Sequence, residues 1–256
     1  MLTLGLTQPI RDAIKLLSKE VNKFRITKTI IIYIGPIIII ALILILWTIY
    51  YFLYITITRR TKILLIFAFI RLSIYGIIII RWGSRRKYAI IGGYRGVAQV
   101  LSYEVCLFVV VLTSLFLIKN YNIEKIEIIQ QNIWISLTLI PLFISWLILC
   151  AAESNRTPFD IIEAESEIVS GFNIEYGGGL FAIIFIAEYG IIIVLRFITS
   201  VIFLGIKYII IKTFIISIVF IWLRCSFPRV RYDHIIFISW KIILPYRLIL
   251  LIIIML

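Results

Sequence analysis

The sequence predicts an all-α polytopic membrane protein, with seven transmembrane helices preceded by an amphipathic helix lying in the membrane interface. Three observations carry this. Of 256 residues, 62% are hydrophobic and 15% charged, with a mean hydropathy of +1.11, more apolar surface than a water-soluble domain of this length needs. The apolar residues come in runs of about 20, the length of helix that crosses roughly 30 Å of hydrocarbon. The runs are also continuous, where a barrel strand would alternate polar and apolar side chains.

Residues 6–17 place Leu6, Ile10, Ala13, Ile14 and Leu17 on one helical face and Gln8, Arg11, Asp12 and Lys15 on the other. That pattern suits a helix embedded by one face in the headgroup region, with a solvated leader to the first span as the alternative. The spans follow at 30–55, 63–81, 97–118, 133–152, 180–204, 208–224 and 235–256, forming a single integral membrane domain over 1–256. Residues 119–132 are too polar to span and fall on the side opposite the N-terminus.

Seven crossings put the N-terminus on the same side as the loops after the second, fourth and sixth spans. That side holds sixteen of the 26 Lys and Arg residues, the opposite side seven, and Arg71, Arg196 and Arg247 lie within spans. By the positive-inside rule it is the cytoplasm or, in a mitochondrion, the matrix. The net charge of +13 therefore reflects topology and not nucleic-acid binding, since the basic residues form no stripe. The chain has 65 Ile against 10 Ala, a bias that packing does not require and that reads as the A+T-rich codon usage of an organellar genome. Cys106, Cys150 and Cys225 are widely spaced and His234 is the single histidine, so this chain alone carries no pattern for a zinc or iron–sulfur site.

Chemistry concentrates in the acids. Six of the thirteen fall between 153 and 175, namely Glu153, Asp160, Glu163, Glu165, Glu167 and Glu175, with only Arg156 opposing them. They occupy a loop, 153–179, in which Pro158, Gly171 and Gly177 to Gly179 break any single long helix. Glu163 and Glu167 would share a helical face, with Glu165 about 200° away. Like charges crowded beside low-dielectric walls raise one another's pKa, which equips such carboxylates to exchange protons near neutrality. A solvated acidic loop is the plainer alternative, but a free loop on the positive side of the membrane gains nothing from six acids.

Glu104 and Glu188 lie within apolar runs, some 10–13 Å deep at 1.5 Å per residue. A carboxylate there costs several kcal/mol unless it is protonated, paired or hydrated, and its default reading is part of a proton or ion path. A structural ion pair with an intramembrane arginine is an alternative compatible with that role. The basic loops at 81–96 and 224–233 fix topology, or else dock an acidic partner or lipid head groups.

With these residues identified, the chain resembles the family of subunit 1 of proton-pumping NADH:quinone oxidoreductase, respiratory complex I. The segment AESNRTPFDIIEAESEIVSGFNIEYGGGLFAIIFIAEY (152–189) is similar to that family's signature loop, and GLTQPIRDAIKLLSKE (5–20), KYAIIGGYRGVAQVLSYEVCL (87–107) and SFPRVRYD (226–233) match in the same order. The resemblance implies a core membrane-arm subunit that helps to enclose the ubiquinone chamber, with ubiquinone as substrate. It implies that Glu163, Glu165, Glu167 and Glu175 are the chamber acids, supported by Asp160 and Arg156, and that Glu153, Glu104 and Glu188 continue a carboxylate path into the membrane. FMN and iron–sulfur clusters belong to partner subunits, so the chain is not active alone. Implied partners are the iron–sulfur subunits of the quinone module, antiporter-like membrane subunits and lipids, in the mitochondrial inner membrane with the N-terminus in the matrix. The family begins with a further transmembrane helix and a loop of the form ERKxxGxxQxRxGPN, to which nothing here corresponds; the expectation is a short or split version whose first helix comes from a separate polypeptide. A stand-alone cation-coupled secondary transporter is the competing class, but it calls for an internal repeat that the sequence lacks. An assembly scaffold without a quinone role is a third.

Overall fold

A computed structural model describes residues 5, 7–19, 29–54, 62–84, 87–118, 126, 130, 134–154, 158–160 and 176–255. The described elements are helical: α1 Gln8–Ser18, α2 Thr29–Tyr54, α3 Lys62–Ser84, α4 Lys87–Ile118, α5 Ile135–Thr138, α6 Ile140–Glu153, α7 Gly178–Thr199, α8 Ile209–Ser226, α9 Tyr232–Phe237 and α10 Leu244–Met255. A π-helical turn at Ser200–Leu204 extends α7, and another at Ile238–Ile243 joins α9 to α10. Among the described residues, six helical stretches are long and apolar enough to cross a membrane: Ile30–Thr48, Ile63–Gly83, Lys87–Ile118, Gly178–Leu204, Ile209–Ser226 and Tyr232–Met255.

The segment expected as a span at 133–152 differs. It divides at Leu139, where φ is −130° and ψ 69°, leaving α5 a single turn and α6 with 14 residues. Pro141 is the physical cause. At the second position of α6 its missing N–H costs nothing, whereas in a helix running on from α5 its ring would strike the carbonyl of Leu137. The expected span at 97–118 also grows, because α4 starts at Lys87. The glycines that read as a loop, Gly92, Gly93 and Gly96, are buried in the helix, and a Cβ on Gly93 would run into the Arg81 side chain of α3.

At the centre, α4 packs on α3, on α6 and on the α9–α10 unit, while α7 packs on α2, α1 and α8. The main core gathers Tyr103, Cys106 and Val110 of α4 with Leu142, Trp146 and Leu149 of α6 and with Phe203, Ile235 and Ile243. Trp146 is fully buried, edge-on to Phe67 at 6.3 Å, and its indole Nε1 donates to Thr199 Oγ1 at 3.2 Å. Gln130 Nε2 donates to the carbonyl of Ile202 at 2.5 Å, inside the π turn that ends the long α7 stretch. The outer surface is apolar as a bilayer requires, with Ile37, Leu44, Phe214, Trp222 and Ile253 all exposed.

Close approach of α2 and α3 depends on glycine. A Cβ on Gly35 would lie 2.6 Å from Ile80 Cγ1, and one on Gly76 would overlap Ile39 Cγ1. Small residues at such contacts let membrane helices gain packing where no hydrophobic effect is available. Gly76→Val is expected to force the pair apart at a cost of about 1–3 kcal/mol, read as a lowered Tm in detergent.

Candidate functional site

The acidic loop is tied down at both of its described ends. At its start, Gln99 of α4, fully buried, donates through Nε2 to the carbonyl of Phe159 at 2.9 Å and to that of Ala152 at 3.3 Å. Tyr103, one turn further along α4, packs its ring 5.9 Å from Phe159 and donates its hydroxyl to the carbonyl of Ile235 at 3.1 Å. From the other side the backbone N–H of Val230 donates to the carbonyl of Pro158 at 2.9 Å, and Arg229 Nη2 donates to the carbonyl of Asp160. The connection between α8 and α9, residues 227–231 of the basic stretch, is thus a clamp on residues 158–160.

At the loop's far end, the Tyr176 hydroxyl donates to the carbonyl of Ile80 at 3.0 Å, and its ring joins Ile32, Leu180 and Ile184 in a second core. Burial pushes the phenol above its ordinary pKa, so it stays a donor throughout the physiological range. Gly178 then opens α7 at φ +60°, where an added Cβ would lie 2.9 Å from the carbonyl oxygen of Lys19. Only glycine fits there, and the contact seats the end of α1 against the loop's exit.

The candidate acids fall into two groups. Arg156, Glu163, Glu165, Glu167 and Glu175 lie outside the described residues. Asp160 is described and partly buried, its main chain held by Arg229 as above. Glu153 ends α6 with 7% of its surface exposed, and its Oε2 has no hydrogen-bond partner among the described residues. It lies close enough to Glu104 for their charges to interact. Glu104 in turn pairs with Arg71 of α3, Oε1 to Nε 2.8 Å, and the guanidinium carbon sits 4.7 Å above the Phe108 ring. Glu188 is partly buried on α7, beside Ala187, which is buried against α2.

The anchored start of the loop, the buried Glu153 and the ion pair of Arg71 with Glu104 thus lie near one another, on α3, α4 and α6. The residues 2–255 match the family model described as NADH dehydrogenase. The chain belongs to the NADH dehydrogenase family. Among curated relatives, NADH-ubiquinone oxidoreductase chain 1 of Emballonura alecto is 40% identical over 255 residues, covering 95% of this chain and 80% of the relative. That of Rhipicephalus sanguineus is 41% identical over 247 residues, covering 96% and 79%, and that of Aedes aegypti 40% over 249 residues, covering 96% and 80%.

In this NADH dehydrogenase family member the anchors of the site, Gln99, Tyr103, Tyr176, Arg229 and Val230, are not among the residues that sequence patterning singles out. Gln99 carried one legible signal, as an amide in an otherwise apolar part of α4, where an unpaired polar group is costly. The others depend on tertiary contacts. The pairing of Arg71 with Glu104 realises the structural ion pair weighed from the sequence, while Arg196 turns to an aromatic ring, 5.8 Å from the centroid of Phe220.

Proposed function

We propose that the chain forms part of the ubiquinone-binding chamber of NADH-ubiquinone oxidoreductase and the carboxylate path that couples quinone reduction to proton translocation. Family membership makes it a membrane subunit of that enzyme, respiratory complex I. The observation that carries the finer reading is Glu153: a buried acid at the root of an anchored acidic loop, within electrostatic reach of the intramembrane Glu104. Reduction of a quinone to quinol takes two electrons and two protons. The electrons come from an iron–sulfur cluster of a partner subunit, with FMN further upstream in another. The proton demand falls on Glu163, Glu165, Glu167 and Glu175, with Asp160 and Arg156 as their support. The change in charge is passed to Glu153, Glu104 and Glu188 and on toward antiporter-like subunits, since a neighbouring carboxylate at roughly 4–6 Å shifts a pKa by a unit or more in a poorly screened interior.

In this reading the interrupted stretch from Ile135 to Glu153 is a seventh crossing, and α1 lies in the interface of the mitochondrial matrix side. Exposure of Ile10, Ile14 and Leu17 on one side of α1 supports that placement. The test is a native gel of mild-detergent membranes, stained for NADH dehydrogenase activity, with mass spectrometry of the active band. The chain is expected there with flavin and iron–sulfur subunits; migration alone, or with unrelated membrane proteins, would withdraw the quinone assignments.

A further inference from the structure

Arg196 is an intramembrane charge that the carboxylate path proposed above does not use. Its Nε is buried and finds no hydrogen-bond acceptor among the described residues, and its guanidinium rests against Phe220 of α8. Of the other two arginines that the sequence places within spans, Arg71 pairs with Glu104, and Arg247, whose Nε and Nη1 are likewise buried without a hydrogen-bond partner among the described residues, donates through Nη2 to the carbonyl of Pro141 at 2.6 Å and to Ser145 Oγ. Beside Arg196 a crevice of about 270 Å³ opens between α2, α7 and α8, lined by Trp47, Ile193, Phe197, Ile210, Thr213 and Phe214. Its outer wall is bare, with Ile210 81% and Phe214 65% exposed. Ile218 and Trp222 continue the same stripe along α8, also exposed. Large side chains at this four-residue spacing form the ridge into which a second helix packs.

Depth decides what occupies the groove. Arg196 lies about 12 Å along α7 from Leu204, and Phe220 about 16 Å along α8 from Ile209, both measured from the same membrane side at 1.5 Å per residue. A side chain on a helix leans toward the helix N-terminus, which here directs the guanidinium away from the nearer surface. The charge is thus held near the middle of a hydrocarbon layer about 30 Å thick, beyond the reach of a lipid phosphate at its edge. Acyl chains could cover the apolar wall as well as a helix could, so the wall alone selects nothing. A carboxylate carried on a transmembrane helix meets the guanidinium at its own depth.

We propose that this groove receives a transmembrane helix of a neighbouring subunit that carries an aspartate or glutamate near mid-membrane, and that its pairing with Arg196 selects that helix. The inference rests on the chain's place in a larger membrane assembly. It is tested inside the NADH-oxidising band by placing a photo-reactive side chain at position 210 or 214, with position 253 on α10 as the control, and mapping the adducts by mass spectrometry. Positions 210 and 214 are expected to label one transmembrane segment of another subunit, within about two helical turns of an Asp or Glu, and position 253 not to label that segment. In parallel, Arg196→Gln should lower the amount of that subunit in the band at least fivefold, whereas Arg196→Lys, which keeps the charge, should retain most of it. Adducts only with phospholipid, adducts with a segment that lacks an acid, or unchanged subunit content in Arg196→Gln would each overturn the proposal. Absence of the chain from the active band would instead refute the assembly reading beneath it.

Discussion

Replacing Glu153 by Gln is expected to lower quinone-dependent NADH oxidation and the coupled proton translocation at least tenfold, while reduction of a hydrophilic acceptor upstream of quinone is unchanged. Glutamine keeps the size of the side chain and its capacity for hydrogen bonds and removes only the charge and the proton. Burial at 7% exposure leaves little water to substitute for that lost charge, and Glu104 is close enough to sense its removal. One pKa unit of coupling corresponds to about 1.4 kcal/mol, a factor of ten in the population of the protonation state that the next carboxylate requires. Glu153→Asp, which retains a carboxylate one methylene shorter, should keep part of the activity. Unchanged proton translocation in Glu153→Gln would remove this residue from the path. The same readout applied to Glu188→Gln decides separately whether the path reaches α7.

Much of the architecture was legible because hydrophobic run length is a direct image of bilayer thickness, and six of the expected spans correspond to long apolar helices. Average hydropathy is blind to where a single proline falls, and so Pro141 divided a run that by composition alone reads as continuous. The glycines of 92–96 misled for a related reason. Glycine marks loops by its backbone freedom, but inside a membrane bundle it equally marks a close helix contact, as Gly93 does against Arg81. Glu104 and Arg71 could each be singled out as intramembrane charges, yet their pairing depends on how α3 and α4 turn toward one another, which no local pattern encodes. Glu153 was found through its neighbours in the loop. The residues that fix the loop's position were not, because Gln99 reaches partners 53 and 60 positions away.

Those two bonds make Gln99→Leu the sharpest test of whether the anchored loop start matters to quinone chemistry. The two carbonyls are not equivalent: that of Ala152 keeps the backbone N–H of Ser154 as a donor, whereas Gln99 is the donor identified for that of Phe159. Leaving one buried carbonyl unsatisfied costs about 1–3 kcal/mol, and losing a bond from a group that retains another partner costs less. Leucine offsets part of this, since it also removes Gln99 Oε1, a buried atom with no partner among the described residues. The expected outcome is therefore a modest fall in the Tm of the complex, together with a several-fold rise in KM for quinone and little change with the hydrophilic acceptor. Gln99→Asn, too short to span the same gap, should behave like the leucine variant despite its amide. That equivalence separates an anchoring role from any need for an amide as such. An unchanged KM in both variants would mean that the hold of α4 on Ala152 and Phe159 serves stability alone.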